Sequence, residues 1–321
     1  MLGQMSFGTD GVLKDKVQRA IDRLKAFEPE EGYYLAFSGG KDSQCIYHLA
    51  RMAGVKFDVH YSVTSVDPPE LVQFIKKNYP DAWEGRVHQY RKDGTPYTMW
   101  NLIAEHTIPP TRRARYCCNV LKEPGGAGRL VVIGVRWAES NNRSKTHNVI
   151  DIQGKQKRTK KLAESLNVEY GTNKRGDVVL SGDNTEDRKL VEHCFRRQKT
   201  TLAPIVDWSD EDVWQFLNEN GIEHCGLYDE GFQRLGCIGC PLAGSENMLR
   251  DFERWPKYKQ FYIRAFQKMI DEHPGEIKLY KRLKLTPPPP QCGGSSSGQA
   301  CEGCDSGGDS VFRRWCEMGA L

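Results

Sequence analysis

Hydrophobic and polar positions in the N-terminal part of the chain predict helices that alternate with short strands. Apolar residues recur at helical spacing in several segments, and uninterrupted apolar runs of a few residues lie between them. Strands that alternate with helices favour right-handed crossovers and a parallel, doubly wound α/β sheet. The predicted helices cover 12–28, 45–52, 68–79 and 98–105, and the predicted strands cover 33–37, 56–63, 86–90 and 130–135.

The pattern changes in the second half of the chain. Residues 141–200 are polar and rich in Lys, Arg, Asn and Asp, and we interpret them as a partly ordered insertion. Ser209 is predicted to cap a helix whose first turn is acidic, which suits the helix dipole. Residues 246–272 are predicted to be helical. After Leu285, four prolines and a Gly-, Ser- and Cys-rich stretch predict a flexible tail.

These changes divide the chain into four parts. We predict an N-terminal helix over 1–30, an α/β domain over 31–242 that contains the insertion, a helical extension over 243–285 and the tail over 286–321. No apolar run is long enough to cross a membrane, and the first residues lack the basic and apolar regions of a secretory signal. We therefore expect a cytoplasmic protein with no membrane association.

Composition changes this picture little. Hydrophobic residues make up 38% and charged residues 27% of the 321 residues, which is enough apolar material for a sizeable core and argues against extended disorder. The formal net charge of +4 is too small to indicate a nucleic-acid partner by itself. The 8 histidines show no HxxxH or HExxH pairing, which disfavours a histidine-based metal site or a metalloprotease.

The sequence SGGKDS at 38–43 lies between a predicted strand and a predicted helix. Glycines there allow close approach of the backbone to phosphate, and the start of a helix offers free N–H groups to an anion. Lys41 adds a positive charge, while Asp42 is placed to cap the helix or to touch a metal. The alternative is a plain strand-to-helix turn. The candidate nucleotide-binding residues are Ser38, Gly39, Gly40, Lys41, Asp42 and Ser43.

Eleven cysteines in a chain for which no secretory signal is predicted indicate metal ligands or reactive thiols rather than disulfides. Cys117, Cys118, Cys237 and Cys240 fall into two close pairs, for which an iron–sulfur cluster, a zinc ion and two buried structural pairs are all considered. A second set has three interpretations: zinc ligands, a mobile thiol that reaches an active site, or incidental residues. Its members are Cys292, Cys301, Cys304 and Cys316.

Several motifs together resemble one known family. SGGKDS resembles the PP-loop of N-type ATP pyrophosphatases, and other segments resemble the phosphoadenosine phosphosulfate (PAPS) reductase family within that group. Those segments are RRARYCCNVLK (112–122), GVRWAESNNRS (134–144), LAPIVDWSDEDVWQFL (202–217) and LYDEGFQRLGCIGCPL (227–242). The resemblance implies a Rossmann-like core of the adenine nucleotide alpha hydrolase type that binds an adenine nucleotide.

The same motifs supply further candidate residues. Arg136 follows the strand predicted at 130–135, at the end of the sheet where ligands bind, and a guanidinium suits phosphate or sulfate. Arg143 is a second candidate, and a solvated surface arginine is the alternative for both. Members of the family with the CC…CxxC arrangement carry a [4Fe–4S] cluster, so the resemblance implies a cluster here. Its implied ligands are Cys117, Cys118, Cys237 and Cys240.

Two departures from the reductases shape the functional prediction. The loop is complete, as in members that cleave ATP, and the tail lacks the Glu-Cys-Gly-Leu/Ile-His setting of the reductase thiol. We therefore predict that Mg-ATP binds at 38–43 and that attack on the α-phosphorus releases pyrophosphate and leaves an adenylylated acceptor. Lys41, Asp42 and Arg136 are the predicted catalytic residues.

A sulfur species from a donor protein or a thiol reductant would then displace AMP, with the cluster as a redox or sulfur-handling centre. DNA phosphorothioation and tRNA thiolation proteins use relatives of this loop, so nucleic acid is one candidate acceptor. The first alternative is a thiol-dependent adenylyl sulfate or PAPS reductase that releases sulfite. The second is a cluster-bearing nucleotide sensor without catalysis.

Overall fold

The structure, a computed structural model, describes residues 11–139, 149–152, 164, 170–172, 178–180, 200–273 and 307–318. The predictions made for Arg143, Cys292, Cys301 and Cys304 lie outside these residues. The helices are α1 (Gly11–Ala26), α2 (Lys41–Ala53), α3 (Pro69–Asn78), α4 (Pro80–Glu84), α5 (Met99–Glu105), α6 (Tyr116–Leu121), α7 (Asp210–Glu219), α8 (Ser245–Arg254), α9 (Pro256–Glu272) and α10 (Gly307–Met318). The strands are β1 (Tyr33–Phe37), β2 (Phe57–Tyr61), β3 (Leu130–Val132), β4 (Ile150–Ile152), β5 (Tyr170–Thr172), β6 (Val178–Leu180) and β7 (Thr200–Leu202).

The chain divides into two compact units, and each is built from separated segments. Unit 1 consists of Met1–Ser62, Pro69–Val87 and Pro124–Leu235, and unit 2 consists of Val63–Pro68, His88–Glu123 and Gly236–Leu321. The prediction divided the chain into consecutive parts. In the structure, Val63–Pro68 and His88–Glu123 belong to unit 2 together with the C-terminal helices. None of the described helices combines the length and the hydrophobicity that a membrane crossing requires.

Unit 1 contains a mixed sheet with the strand order β2-β1-β3-β7-β4-β6-β5. Strands β2, β1, β3 and β7 are parallel, and in this register Leu35 lies opposite both Val59 and Val132. The predicted parallel α/β sheet is therefore confirmed. Leu35 and Val132 have no exposed surface, which is typical of parallel strands covered on both faces.

The polar insertion adds strands that the sequence did not predict. Strand β4 pairs antiparallel with both β7 and β6, and β5 pairs antiparallel with β6, so the insertion extends the sheet beyond its parallel part. The strand predicted at 86–90 is wrong. Within this segment, Val87 forms an isolated parallel bridge with Ser62, and Tyr90 forms an isolated antiparallel bridge with Pro96. The second bridge forms because the chain turns back at Gly94, where φ is 83°.

Helices α1 and α2 pack against each other in unit 1. Val17 and Leu24 of α1 and Ile46 and Leu49 of α2 have no exposed surface. Burial of each such side chain contributes about 1.5–3 kcal/mol. The start of α7 matches the prediction, because the Ser209 hydroxyl accepts the Asp212 N–H and the Asp212 side chain accepts the Ser209 N–H. This packing fixes the ends of β1, α2 and α7, which carry the residues of interest.

Unit 2 is helical, with α9 packed against α5 and α10. The helix predicted over 246–272 is divided at Trp255, because Pro256 cannot donate a backbone hydrogen bond and starts α9. Helix α10 lies in the tail that was predicted to be flexible. Its Trp315 is 1% exposed and donates its indole N–H to the Pro110 carbonyl at 2.6 Å. A short apolar pattern after the Gly- and Ser-rich stretch is enough to form a packed helix here.

Candidate functional site

The loop 38–43 joins the end of β1 to the start of α2 in unit 1. Gly39 has a φ of 74°, a left-handed conformation that favours glycine. A Cβ atom at this position would lie 2.7 Å from a side-chain carbon of Ile75. Gly40 then caps α2 with extended backbone, and the helix begins at Lys41. Both the backbone conformation and the close approach of α3 therefore require glycine at position 39.

The two serines of the loop hold its turn. The Ser43 hydroxyl donates to the Gly40 carbonyl at 2.8 Å and accepts the Ser38 N–H at 3.2 Å. The first backbone bond of α2 runs from the Gln44 N–H to the Gly40 carbonyl at 3.0 Å. The N–H groups of Asp42 and Ser43 precede that bond and point out of the helix start, where an anion is favoured.

The side chain of Lys41 turns back toward the protein. The residue is 6% exposed, and its ammonium group donates to the Gln233 carbonyl at 3.3 Å. The same group lies 3.2 Å from Asp210 Oδ1 and 3.9 Å from Asp42 Oδ2. The Lys41 backbone N–H donates to the Tyr228 hydroxyl at 2.9 Å. The lysine is thus held at the start of α2 by residues from later in unit 1.

Arg136 is 1% exposed, and its guanidinium contacts two carboxylates. Its Nε donates to Asp42 Oδ1 at 2.6 Å, its Nη2 to Asp210 Oδ1 at 2.8 Å, and its Nη1 to the Trp208 carbonyl at 3.3 Å. Gly134 permits this, since a Cβ there would lie 3.0 Å from the backbone of Asp42. Arg136 therefore positions Asp42 and Asp210 in the described structure.

Electrostatics favour the charged forms of Asp210 and Arg136. Partial burial raises the pKa of the Asp210 carboxyl, but the hydrogen bond from Arg136 and the charge of Lys41 outweigh burial, so the pKa lies below its usual value. Burial lowers the pKa of the Arg136 guanidinium, but Asp42 and Asp210 raise it above its usual value. Two cations and two carboxylates thus meet beside the loop.

Cys237 and Cys240 lie in unit 2 on a tightly held turn. Gly239 between them has a φ of 69°, and a Cβ there would lie 2.4 Å from the Phe252 ring. The Gly239 N–H donates to Asp251 Oδ2 at 3.0 Å. Burial raises the pKa of Asp251 to about 6, although the Gly239 N–H opposes the rise. The turn that presents the two thiols is therefore fixed by α8 through one hydrogen bond and one steric contact.

Cys117 and Cys118 belong to the first turn of α6 in the same unit, and neighbouring groups shift the pKa of each thiol. The hydrogen bond from the Cys117 thiol, together with Arg115 and Lys122, lowers the pKa of Cys118 below its usual value despite burial. The same hydrogen bond and burial raise the pKa of Cys117. Burial raises the pKa of Cys237 to about 11, which Lys122 opposes. All four cysteines are free thiols.

In the described structure the four thiols lie in the same unit, but they are not grouped as the ligands of one metal ion. Cys237 and Cys240 are close enough to Cys117 to contribute to the raised pKa of its thiol. Among the described residues, no three His, Cys, Asp or Glu side chains are grouped so as to hold a metal ion. The donor chemistry suits iron or zinc, and the iron–sulfur cluster remains a prediction.

Comparison with known protein families shows to which family the chain belongs. The profile described as the phosphoadenosine phosphosulfate reductase domain matches residues 32–243, which is more than half of the chain. The chain belongs to the PAPS reductase family. The resemblance predicted from the loop 38–43 and the later motifs is thereby confirmed.

Individual relatives of this PAPS reductase family member are distant. An uncharacterized protein of Methanocaldococcus jannaschii is 24% identical over 254 residues, which are 79% of this chain and 52% of that protein. The adenosine 5'-phosphosulfate reductase of Oceanobacillus iheyensis is 28% identical over 204 residues, 62% of this chain and 63% of that enzyme. The chain thus spans less than two thirds of the length of these relatives. The crystal structure of Candida glabrata FMN adenylyltransferase aligns with 74% of this chain and 66% of its own at 14% identity and a TM-score of 0.41.

Within the family member's site, two residues were not predicted. The sequence identified Asp210 only as an acid in the first turn of a helix, and Tyr228 only as part of a family motif. The structure brings both to the loop, with Asp210 against Lys41 and Arg136 and Tyr228 against the Lys41 N–H. The sequence signal that could have found them is their position in the segments 202–217 and 227–242, which carry the resemblance.

Proposed function

We propose that this PAPS reductase family member is an ATP pyrophosphatase that adenylylates an acceptor and so prepares it for sulfur transfer. The observation that carries the proposal is the complete loop 38–43 with the Lys41 ammonium held beside the first turn of α2. A pre-activated sulfate nucleotide does not need a cation at the β- and γ-phosphates, whereas cleavage of ATP to AMP and pyrophosphate does.

Binding of ATP follows from the loop. Gly39 and Gly40 let the backbone approach the phosphates, and the N–H groups of Asp42 and Ser43 face the anion. Asp210 is the natural competitor for Lys41, and its side chain is 58% exposed. A phosphate can therefore displace Asp210 from Lys41. Asp42 keeps its bond to Arg136 and is the candidate carboxylate for the Mg²⁺ that accompanies ATP.

In the proposed reaction, a nucleophilic oxygen of the acceptor attacks the α-phosphorus of ATP. The bond from the α-phosphorus to the bridging oxygen breaks, and pyrophosphate leaves with the electron pair. Lys41 and the loop amides stabilise the charge that develops on the leaving group. A sulfur nucleophile from a donor protein or a thiol then attacks the acceptor atom and displaces AMP together with the activated oxygen.

A [4Fe–4S] cluster is the second part of the proposal, with Cys117, Cys118, Cys237 and Cys240 as its ligands. Four free thiols near Lys122 suit it, because the ammonium offsets thiolate charge. A single zinc ion would need its sulfur ligands at about 2.3 Å from one point, which fits adjacent cysteines poorly. When bound, the cluster would supply redox or sulfur-handling chemistry.

One observation favours a second candidate function. The relative from Oceanobacillus iheyensis is named an adenosine 5'-phosphosulfate reductase. In that alternative, the loop 38–43 binds adenylyl sulfate or PAPS, and a thiol reductant releases sulfite. A third candidate, a cluster-bearing nucleotide sensor, would bind the nucleotide without turnover.

The deciding experiment uses anaerobically purified protein and compares the two substrates. We expect Mg²⁺-dependent binding of a non-hydrolysable ATP analogue and formation of AMP and pyrophosphate with a suitable acceptor. Lys41→Ala should reduce pyrophosphate formation by about 10²-fold or more, the effect of removing one positioned charge-stabilising group. Lys14→Ala, at an exposed lysine of α1, is the matched control and should have no effect.

The same preparation is assayed for sulfite release from adenylyl sulfate and PAPS with a thiol reductant. Sulfite release without ATP, abolished by a tail Cys→Ser change, would establish the reductase reaction and overturn the ATP proposal. ATP binding with no turnover of any acceptor would favour the sensor.

A further inference from the structure

Helix α9 of unit 2 carries a row of exposed residues that neither the proposed reaction nor the cysteines use. Lys257, Phe261, Arg264 and Lys268 follow one another at spacings of four, three and four residues, so they share one face of the helix. All four are exposed, and Phe261 is 42% exposed. We call these residues, together with Trp100, the α9 stripe. The exposed Phe261 ring therefore lies among three basic side chains on one face of the helix.

The aromatic part of the α9 stripe is anchored on the core of unit 2. The Trp100 ring, on α5, meets Phe261 at a centroid distance of 5.5 Å and an angle of 62°. It also meets the buried Tyr262 at 5.1 Å, which fixes its position. Trp100 and Phe261 line a cavity of about 360 Å³ together with Asn101, Arg264 and Lys268. That volume is within the range of small-molecule sites.

The cations of the α9 stripe form few ion pairs with other described residues. Within the part of the chain that the structure describes, Lys257 and Arg264 have no carboxylate partner. Lys268 lies 3.5 Å from Glu272, but both side chains are more than 40% exposed, and such a pair contributes little. Lys257 and Lys268 are eleven positions apart, which corresponds to about 16 Å along the helix. Three cations over that length flank a cavity with an aromatic wall.

We propose that the α9 stripe binds single-stranded nucleic acid. An unpaired base stacks on Phe261 and Trp100, and Lys257, Arg264 and Lys268 contact the backbone phosphates on either side. Phosphate alone would explain the cations but not the aromatic cavity, and duplexes present no free base face. The inference goes beyond the proposed reaction, because it concerns binding by unit 2 and needs no turnover of ATP.

The first test measures fluorescence anisotropy of labelled 12-nucleotide single-stranded DNA, single-stranded RNA and a duplex with the full-length protein. Loss of one stacking platform should weaken single-strand binding by about 5- to 150-fold in Phe261→Ala. Phe261→Tyr keeps the ring and should bind as the unchanged protein does. Because Phe261 is exposed, both variants should fold, which circular dichroism checks. The DNA and RNA arms identify which polymer is preferred.

The second test separates the α9 stripe from general charge. In a salt series, the triple variant Lys257→Ala, Arg264→Ala and Lys268→Ala should reduce the slope of log K against log salt by about two. The control removes three exposed lysines of unit 1 by Lys14→Ala, Lys25→Ala and Lys56→Ala and should leave the slope unchanged. No binding at low salt, equal losses in both triple variants, or duplex binding that ignores Phe261→Ala would overturn the proposal. Since ATP is absent throughout, failure here is independent of the proposed reaction.

Discussion

The Lys41 ammonium and the Asp210 carboxylate lie 3.2 Å apart, although one residue begins α2 and the other begins α7. The same oxygen of Asp210 accepts Arg136 Nη2 at 2.8 Å, and Arg136 also binds Asp42. Two cations and two carboxylates therefore cancel in formal charge beside the loop 38–43. An ATP molecule that enters this neutral group brings negative charge of its own, which is a physical reason for Mg²⁺ to accompany it.

Asp210→Asn should strengthen the binding of ATP that carries no metal. The amide cannot compete as an anion for Lys41, so the site gains one net positive charge. We expect roughly two- to fivefold tighter binding, since a partly exposed charge pair is worth up to about 1 kcal/mol. Isothermal titration with ATP in the presence of a chelator measures the effect. Asp229→Asn, at another exposed acid of unit 1, is the control. Weaker binding by Asp210→Asn would show that Asp210 does not compete with the phosphates.

Arg136→Met should destabilise the fold as well as impair nucleotide binding. The stem is retained, but the bonds to Asp42, Asp210 and the Trp208 carbonyl are lost. We expect a loss of about 2–4 kcal/mol in the free energy of unfolding, below the usual cost for a fully buried pair because the carboxylates are partly exposed.

The matched control for this prediction is Arg129→Met. Arg129 pairs with Asp58, but both side chains are more than a quarter exposed, so the loss should stay below about 1 kcal/mol. Urea denaturation of both variants compares the two arginines. Equal losses would contradict the buried, positioning role of Arg136.

The sequence predicted the local features of unit 1 well, because each follows from residues close together in the chain. The strand at 33–37 has the predicted bounds, and the Ser209 cap forms as expected. The partners of Lys41 could not be predicted in the same way. Asp210, Gln233 and Tyr228 reach it only through the order of the strands and the packing of α7.

The polar insertion and the tail show a second reason for missed elements. Strands of three residues such as β4 carry too little periodicity to distinguish them from loop, and they form by pairing with β7. Helix α10 follows a Gly-, Ser- and Cys-rich stretch. Its few apolar residues are buried because they pack against α8 and α9. In both cases tertiary contacts, not local propensity, stabilise the element.

Gly39→Ala should cost far more stability than Gly54→Ala. Both glycines have a similar positive φ, 74° and 70°, so each alanine carries the left-handed penalty of about 1–2 kcal/mol. Only at Gly39 would the new Cβ also meet Leu71 and Ile75, at 2.7–2.8 Å. Because α3 must shift, we expect an additional loss of about 1–3 kcal/mol at Gly39. Urea denaturation of both variants measures the difference, and similar losses would contradict it.

Anaerobically purified protein should contain about four irons per chain, the content of one [4Fe–4S] cluster. Cys117→Ser, Cys118→Ser, Cys237→Ser or Cys240→Ser should each reduce iron and the brown colour. Cys225→Ser is the control, since this cysteine is buried in unit 1 and is not a proposed ligand. Iron and sulfide analysis checks the outcome. A colourless protein with one zinc per chain would contradict the cluster.

His48 should make the protein less stable as the pH falls from about 6.5 to about 4. Burial, with a further contribution from Arg51, lowers the pKa of His48 to about 4, while Asp81 opposes the shift. Between these values the unfolded chain binds a proton that the folded chain does not, so unfolding becomes easier as the pH falls. At pH 5 the loss relative to pH 7.5 should be about 2 kcal/mol. His48→Gln removes this part of the pH dependence, and His88→Gln, at an exposed histidine, should retain it. Urea denaturation at pH 7.5, 6 and 5 compares the three proteins, and parallel pH profiles for all of them would refute the assignment to His48.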